Sequence, residues 1–265
     1  MRKLVIVLLT AGLLNAGLKE DVENTASSFI DGAASFISAG ILSTAGAQGG
    51  IPHFDAGVGV NLTGFKFRHP LTGDELVFPG VMPIVFGELG VFSGISLTPL
   101  INGVGAIDVM GRFMPAMPTK DYFNTSINPT YWAGGIKLQI LKDQLVPPTP
   151  AISISLMYHS FGNVGFKFDS LYTDFSLSNL SIHADISKSL LFFSPYVGIG
   201  FDSYNLKGQY WTEGNQTKQD IANFNGNHMR YYGGVKFSFL LIKLFVEGAY
   251  IGNKTVVSLG VKAGI

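Results

Sequence analysis

From residue 53 to the carboxyl terminus the chain alternates between apolar and polar positions. A period of two puts successive side chains on opposite faces of an extended strand. Residues 53–67 set Phe54, Ala56, Val58, Val60 and Leu62 against Asp55, Gly57, Gly59, Asn61 and Thr63. Residues 81–92 are apolar on both faces except for Glu88. Residues 103–114 place Asp108 and Arg112 opposite Ile107, Val109 and Phe113, and residues 131–141 place Lys137 and Gln139 opposite Trp132, Ile136 and Leu138. In residues 151–161, Ser153, Ser155 and His159 oppose Ile152, Ile154 and Leu156.

The stretch 172–188 changes phase near Asn179, which predicts a bulge there, and then sets His183 and Asp185 against Ile182, Ala184 and Ile186. Asp202 lies on the polar face of 193–206, Arg230 and Lys236 on that of 227–240, Glu247 on that of 243–251, and Lys262 on that of 255–265. The segment 207–226, rich in Asn and Gln, reads as the longest polar connection. These stretches predict about ten strands, with eight or twelve as the alternatives. Connections alternate between long and short up to the tight turn at 252–254, the pattern of long loops at one end of a barrel and short turns at the other.

The amino-terminal part has another character. Arg2 and Lys3 precede an apolar run from Leu4 to Leu14 and the small residues Ala16 and Gly17, which predicts a secretory signal peptide over residues 1–16. From residue 21 to 45 apolar residues recur at helical spacing, with Phe29, Ala33, Phe36 and Gly40 on one side and Ser28, Asp31, Ser35 and Ser38 on the other. Residues 17–50 are therefore expected to form a weakly polar amphipathic helix, a candidate plug for the domain spanning 51–265. The breaker Gly49-Gly50-Ile51-Pro52 separates the two.

Composition narrows the class. Charged residues make up 14% of the 265, against the roughly 25% of soluble domains. The mean hydropathy is +0.32, yet no apolar run after the leader approaches the roughly 20 residues of a spanning helix. Apolar overall without such a run is what an all-β antiparallel transmembrane barrel produces, because each strand needs only about 10 residues. Eighteen basic residues balance eighteen acidic ones, so no surface for nucleic acid is implied. There is no cysteine, which excludes disulfides and thiolate metal sites, and nothing suggests a cofactor.

On the barrel reading the apolar face meets outer-membrane lipid, and the polar face lines the lumen. The lumen set is Asp55, Glu88, Asp108, Arg112, Lys137, His183, Asp185, Asp202, Arg230, Lys236, Glu247 and Lys262. Its balance of sign predicts mutual pairing rather than a selectivity ring. Aromatics including Tyr122, Phe123, Tyr131, Trp132, Tyr158, Phe161, Tyr204, Tyr210, Trp211, Tyr231 and Tyr232 are expected at one membrane interface. Phe192, Phe193, Phe239 and Phe245 are expected at the other.

With these features the chain resembles bacterial outer-membrane β-barrel proteins as a broad class, over residues 1–16 and 53–265. The resemblance implies residence in the bacterial outer membrane and insertion by the barrel-assembly machinery. In that class the last strand alternates and ends in an aromatic; here Leu259, Val261 and Ala263 keep the alternation, and Ile265 replaces the aromatic. The helix before the first strand resembles the plug of fatty-acid transport barrels. The function expected is a narrow channel or binding barrel for a small or apolar solute, with a closed structural or surface-interaction barrel as the alternative. A lipid-modifying enzyme would use His69, His159, Ser160 and His228 at the rim, but no catalytic motif of known spacing is present, and the chain reads as a non-enzyme.

Overall fold

The computed structural model describes residues 2–98, 101–115, 130–146 and 148–264, with side chains from residue 17 onward except at positions 65, 67, 76, 78, 79 and 163. Tyr122, Phe123 and Ile265 lie outside the described residues, and so does most of the β3–β4 connection. One helix, α1 (Arg2–Ser38), precedes β1 (Phe54–Arg68), β2 (Glu75–Phe92), β3 (Ala106–Phe113), β4 (Thr130–Leu141), β5 (Ala151–Phe168) and β6 (Leu171–Ser187). There follow β7 (Phe193–Thr212), β8 (Asn215–Asp220), β9 (Phe224–Phe239), β10 (Ile242–Ile251) and β11 (Lys254–Gly264).

Every strand but β8 pairs antiparallel with two neighbours in the ring, and β7 pairs with β8 as well. The ring closes where β1 meets β11, with Asp55 opposite Gly264 and Gly59 opposite Gly260. Ten strands therefore form a closed antiparallel barrel, and β8 is a short flap paired only with the tip of β7. Closure leaves no row of free amides and carbonyls, as a sheet in lipid requires.

The alternation fixes which face is which. Asp108, Arg112, Lys137 and Glu247 are buried inside, while their strand neighbours Val109, Ile136, Leu138, Val246, Leu259 and Val261 are 39–51% exposed on the outside. Such exposed apolar residues continue around the whole circumference. A water-soluble protein rarely exposes apolar patches beyond a few hundred Å², whereas lipid is their natural solvent. Among the described residues no helix is long and apolar enough to cross a membrane.

Several expectations change. The bulge sits in β5, between Phe161 and Val164, and not in β6. The inner face of β6 runs unbroken from Leu171 through Phe175, Asn179 and His183 to Ser187. Its inward residues switch from apolar to polar near Asn179, which imitates a phase change in the sequence. Residues 162–168, outside the strand stretches 151–161 and 172–188 expected from the sequence, extend β5, and most of 207–226 is strand, not loop: it completes β7, makes β8 and begins β9. Strands β5, β6 and β7 thus rise as a tall wall on one side, 17–20 residues long against 8 for β3.

The aromatic belt is also thinner than expected. Trp132, Tyr158 and Tyr231 face outward, with Trp132 and Tyr158 in contact at 5.6 Å, and Phe192 and Phe239 face outward at the other end. Tyr131, Phe161, Tyr204, Tyr210, Tyr232 and Phe245 are buried inside.

Candidate functional site: the occupied lumen

The lumen holds the chain's own amino-terminal segment. Helix α1 lies against the tall wall through Val22, Ala26, Phe29, Ile30, Ala33 and Ile37, which share one buried cluster with Phe175, Leu177 and Ile221. Phe29 meets Phe166 edge-on at 5.6 Å and stacks on Phe175 at 5.9 Å. On its polar side, Thr25 donates its hydroxyl back to the Asp21 carbonyl one turn earlier, while the Ser35 and Ser38 hydroxyls lie within reach both of the carbonyls one turn earlier and of the barrel, at the Ile251 carbonyl and the Asp202 carboxylate. Glu23 accepts the amide of Ala222, and Asp31 accepts the hydroxyl of Tyr204.

The helix stops at Ser38, not near residue 45 as its apolar spacing predicts. The last turn of a helix leaves its carbonyls unpaired and carries a partial negative charge, and here the barrel supplies the donors. Asn61 donates to the carbonyls of Phe36 and Ala39, Tyr131 to Ile37 and Arg230 to Ser38. Arg112 takes those of Ala39 and Ile41, at 3.1 and 2.9 Å. Gly40, at φ +70°, turns the chain out of the helix.

Beyond the helix the segment descends extended. Glu247 accepts the amides of Ile41 and Leu42 at 3.0 and 3.1 Å, and is itself held by the Tyr196 hydroxyl. Leu42 is fully buried and fits a notch formed by Gly59 and Gly260, paired residues of the closing seam. A Cβ on either glycine would stand 2.9 or 2.7 Å from the Leu42 methyl. Lower down, Lys137 donates to Ser43 and to the carbonyls of Thr44 and Gly46. Ser187 accepts the amide of Ala45, Gln139 that of Ala47, and Asp108 that of Gln48.

The charged lumen residues therefore have two tasks. They pair: Arg230 with Asp202 at 2.7 Å, Lys137 with Glu88 and Asp108, Lys262 with Glu88 at 3.1 Å, and Lys243 with Asp55 at 2.6 Å. Their remaining donors and acceptors grip the backbone of residues 38–48. Eleven of the twelve expected residues are buried inside the barrel, and Lys236 is half-buried at its lower end. Of the twelve, His183 and Asp185 stand apart on β6. His183 has neither ring nitrogen hydrogen-bonded, and Asp185 Oδ1 and the Tyr232 hydroxyl beside it also lack partners among the described residues. A Cβ on Gly198 would run into the Tyr232 ring and stand 2.8 Å from Asp185 Oδ1, so the glycine makes room for these two side chains.

The sequence reading missed Asn61, Tyr131, Gln139, Ser187, Tyr196 and Lys243. The alternation already put Asn61, Gln139, Ser187 and Tyr196 on the inner face, but their neutral groups carried no signal of a site. Lys243 was hidden at a strand end, and Tyr131 was assigned to the outer rim. The histidines do not form a rim site. His159 is buried in the lumen beside Tyr131, His228 faces Asp31, and His69 packs on Phe168 in a loop. Among the described residues no group of three or more His, Asp or Glu side chains is arranged to hold a metal.

A closed ladder, an apolar exterior and a polar lumen occupied by the amino-terminal segment define an outer-membrane β-barrel fold. The chain belongs to a family of unknown function (DUF6588), whose pattern matches residues 100–265, more than half of its length. No curated protein matches it. Among solved structures it is similar to Ail, the attachment invasion locus protein of Yersinia pestis, with 9% identity, 80% of this chain and 95% of that one covered, and a TM-score of 0.36. It is also similar to Neisserial surface protein A, with 11% identity, 80% and 96% covered and a TM-score of 0.34. The outer membrane protease OmpT from Escherichia coli gives 11% identity, 81% and 97% covered and a TM-score of 0.41.

Proposed function

We propose that this protein is a bacterial outer-membrane barrel in which residues 17–50 act as a gate, closing a narrow path for small solutes. The observation that carries the reading is the way the segment is held. From Ser38 to Gln48 the barrel grips it mainly through polar groups on its backbone. Water or a polar solute can replace each such hydrogen bond at small net cost, so residues 38–48 can detach from the barrel without unmaking its wall. A ten-strand barrel that served only as a scaffold could fill its slightly wider lumen with its own side chains. Here lumen glycines at 59 and 260 clear room for a separate segment instead.

Proteoliposome swelling with small sugars and amino acids tests the proposal. Vesicles carrying the intact chain stay tight or swell slowly, and those carrying a chain without residues 17–50 swell fast. A deletion variant that keeps the heat-modifiable gel migration of a folded barrel and still leaves vesicles tight would overturn it.

A further inference from the structure

Below the plug, at the end of the lumen where β4, β6, β9 and β10 meet their short turns, lies a cavity of about 280 Å³. Four lysines line it, Lys142, Lys236, Lys243 and Lys262, against two acids, Asp55 and Asp143. Both acids are already engaged. Asp55 accepts two bonds from Lys243, at 2.6 and 2.8 Å, and Asp143 accepts Lys188 and the amide of Ser189 at 2.6 and 2.7 Å. Lys262 is bound to Glu88 and lies over the rings of Phe86 and Phe245. Lys243 and Lys262 sit directly opposite each other on β10 and β11, a like-charge pairing that destabilises a sheet unless something neutralises it.

Lys236 and Lys142 are left over. Neither ammonium has a hydrogen-bond or ion-pair partner among the described residues, and Lys236 is half-buried with its side chain in the cavity wall. An unpaired ammonium in a confined space is costly. A concave site with a surplus of two positive charges draws in an anion, and a phosphate group carries about −1.5 to −2 near neutral pH. The cavity is larger than one phosphate, with room for a small organic group attached to it.

We propose that this cavity binds a phosphate group, free or carried on a small ester, with Lys236 and Lys142 as its ligands. The site stands whether or not any solute crosses the barrel. Because Ser43, Thr44 and Gln48 of the plug form its upper wall, the bound anion sits against the gate.

Isothermal titration of the refolded full-length protein in a nonionic detergent tests it, with inorganic phosphate and glycerol phosphate as separate probes and sodium chloride at matched ionic strength as the blank. Saturable binding of either probe, weakened about tenfold or more in Lys236→Gln, supports the site. A stronger signal from one probe tells free phosphate from an ester. Lys236→Gln must keep heat-modifiable migration, and Lys142→Gln, at the exposed mouth, gives a second reading that no folding defect clouds. Absence of saturable heat with both probes, or equal affinity in the wild type and both variants, overturns the proposal.

Discussion

Truncating Leu42 to alanine is the sharpest perturbation of the proposed gate, because it removes packing without changing any lumen charge. The side chain is fully buried between Gly59, Gly260 and Phe86, and glycines cannot move side chains in to fill the hole. A buried Leu→Ala change costs about 2–5 kcal/mol, with the upper part of the range where a site cannot collapse. If that loss falls on docking of the segment, the open fraction rises about 30- to 4,000-fold. The chain has no cysteine, so a single Ala45→Cys reporter, at a fully buried position, can be labelled with a maleimide after refolding. When opening and closing are fast, the labelling rate follows the open fraction. Leu42→Ala in that background is expected to label at least about 30 times faster while the barrel keeps its heat-modifiable migration. A rate within about twofold of the parent, the scatter of substitutions that touch nothing, would refute the claim that Leu42 holds the gate in the β1–β11 notch.

Gly260→Ala approaches the same notch from the wall. Its Cβ would press on Leu42 and Phe86 side chains, whereas one at Gly59 would also strike the Leu259 carbonyl, so Gly260→Ala is expected to speed labelling of the reporter without unfolding the barrel. Arg230→Ala leaves the carboxylate of Asp202 buried without its cation, held only by the Ser38 and Ser181 hydroxyls, and is expected to destabilise by about 3–5 kcal/mol, with part recovered by adding Asp202→Ala, read as denaturant midpoints in detergent. At the short-turn end, burial pushes the Asp143 carboxyl up, but hydrogen bonds from Lys188 and Ser189 outweigh it and hold the group below its ordinary value. Its tie between two turns is therefore complete above the usual aspartate range near 3.9 and is lost only as pH falls through the lower folded value. The Ser189 amide resonance follows that titration, and a midpoint at or above 3.9 would contradict it. Replacing residues 213–220 by a short glycine-rich turn removes β8, which pairs only with β7, and is expected to leave barrel migration unchanged.

The barrel was legible because its physics is written with period two. Asp108, Lys137, Arg230 and Lys262 could be assigned to the polar face from alternation alone, and each of these side chains is buried. The rest was hidden where one face changes solvent along a strand. On β6 the inward side is apolar beside Phe29 and polar lower down, so a regular strand looked broken at Asn179. Tyr131 and Tyr204 looked like interface aromatics for the same reason, since a lumen filled by a helix needs inward aromatics as much as lipid needs outward ones. The end of α1 was invisible for another cause. Ile37 and Ile41 keep helical spacing, but the donors that take the terminal carbonyls, Arg112, Arg230 and Asn61, come from strands far away in sequence.

Single-channel recording in planar bilayers tests the central claim most directly. The chain without residues 17–50 is expected to give steady channel openings that the intact chain lacks, and a synthetic peptide of residues 17–50 added to the bath is expected to close them. A folded deletion variant that never conducts, or conducts just as the intact chain does and ignores the peptide, would contradict the account.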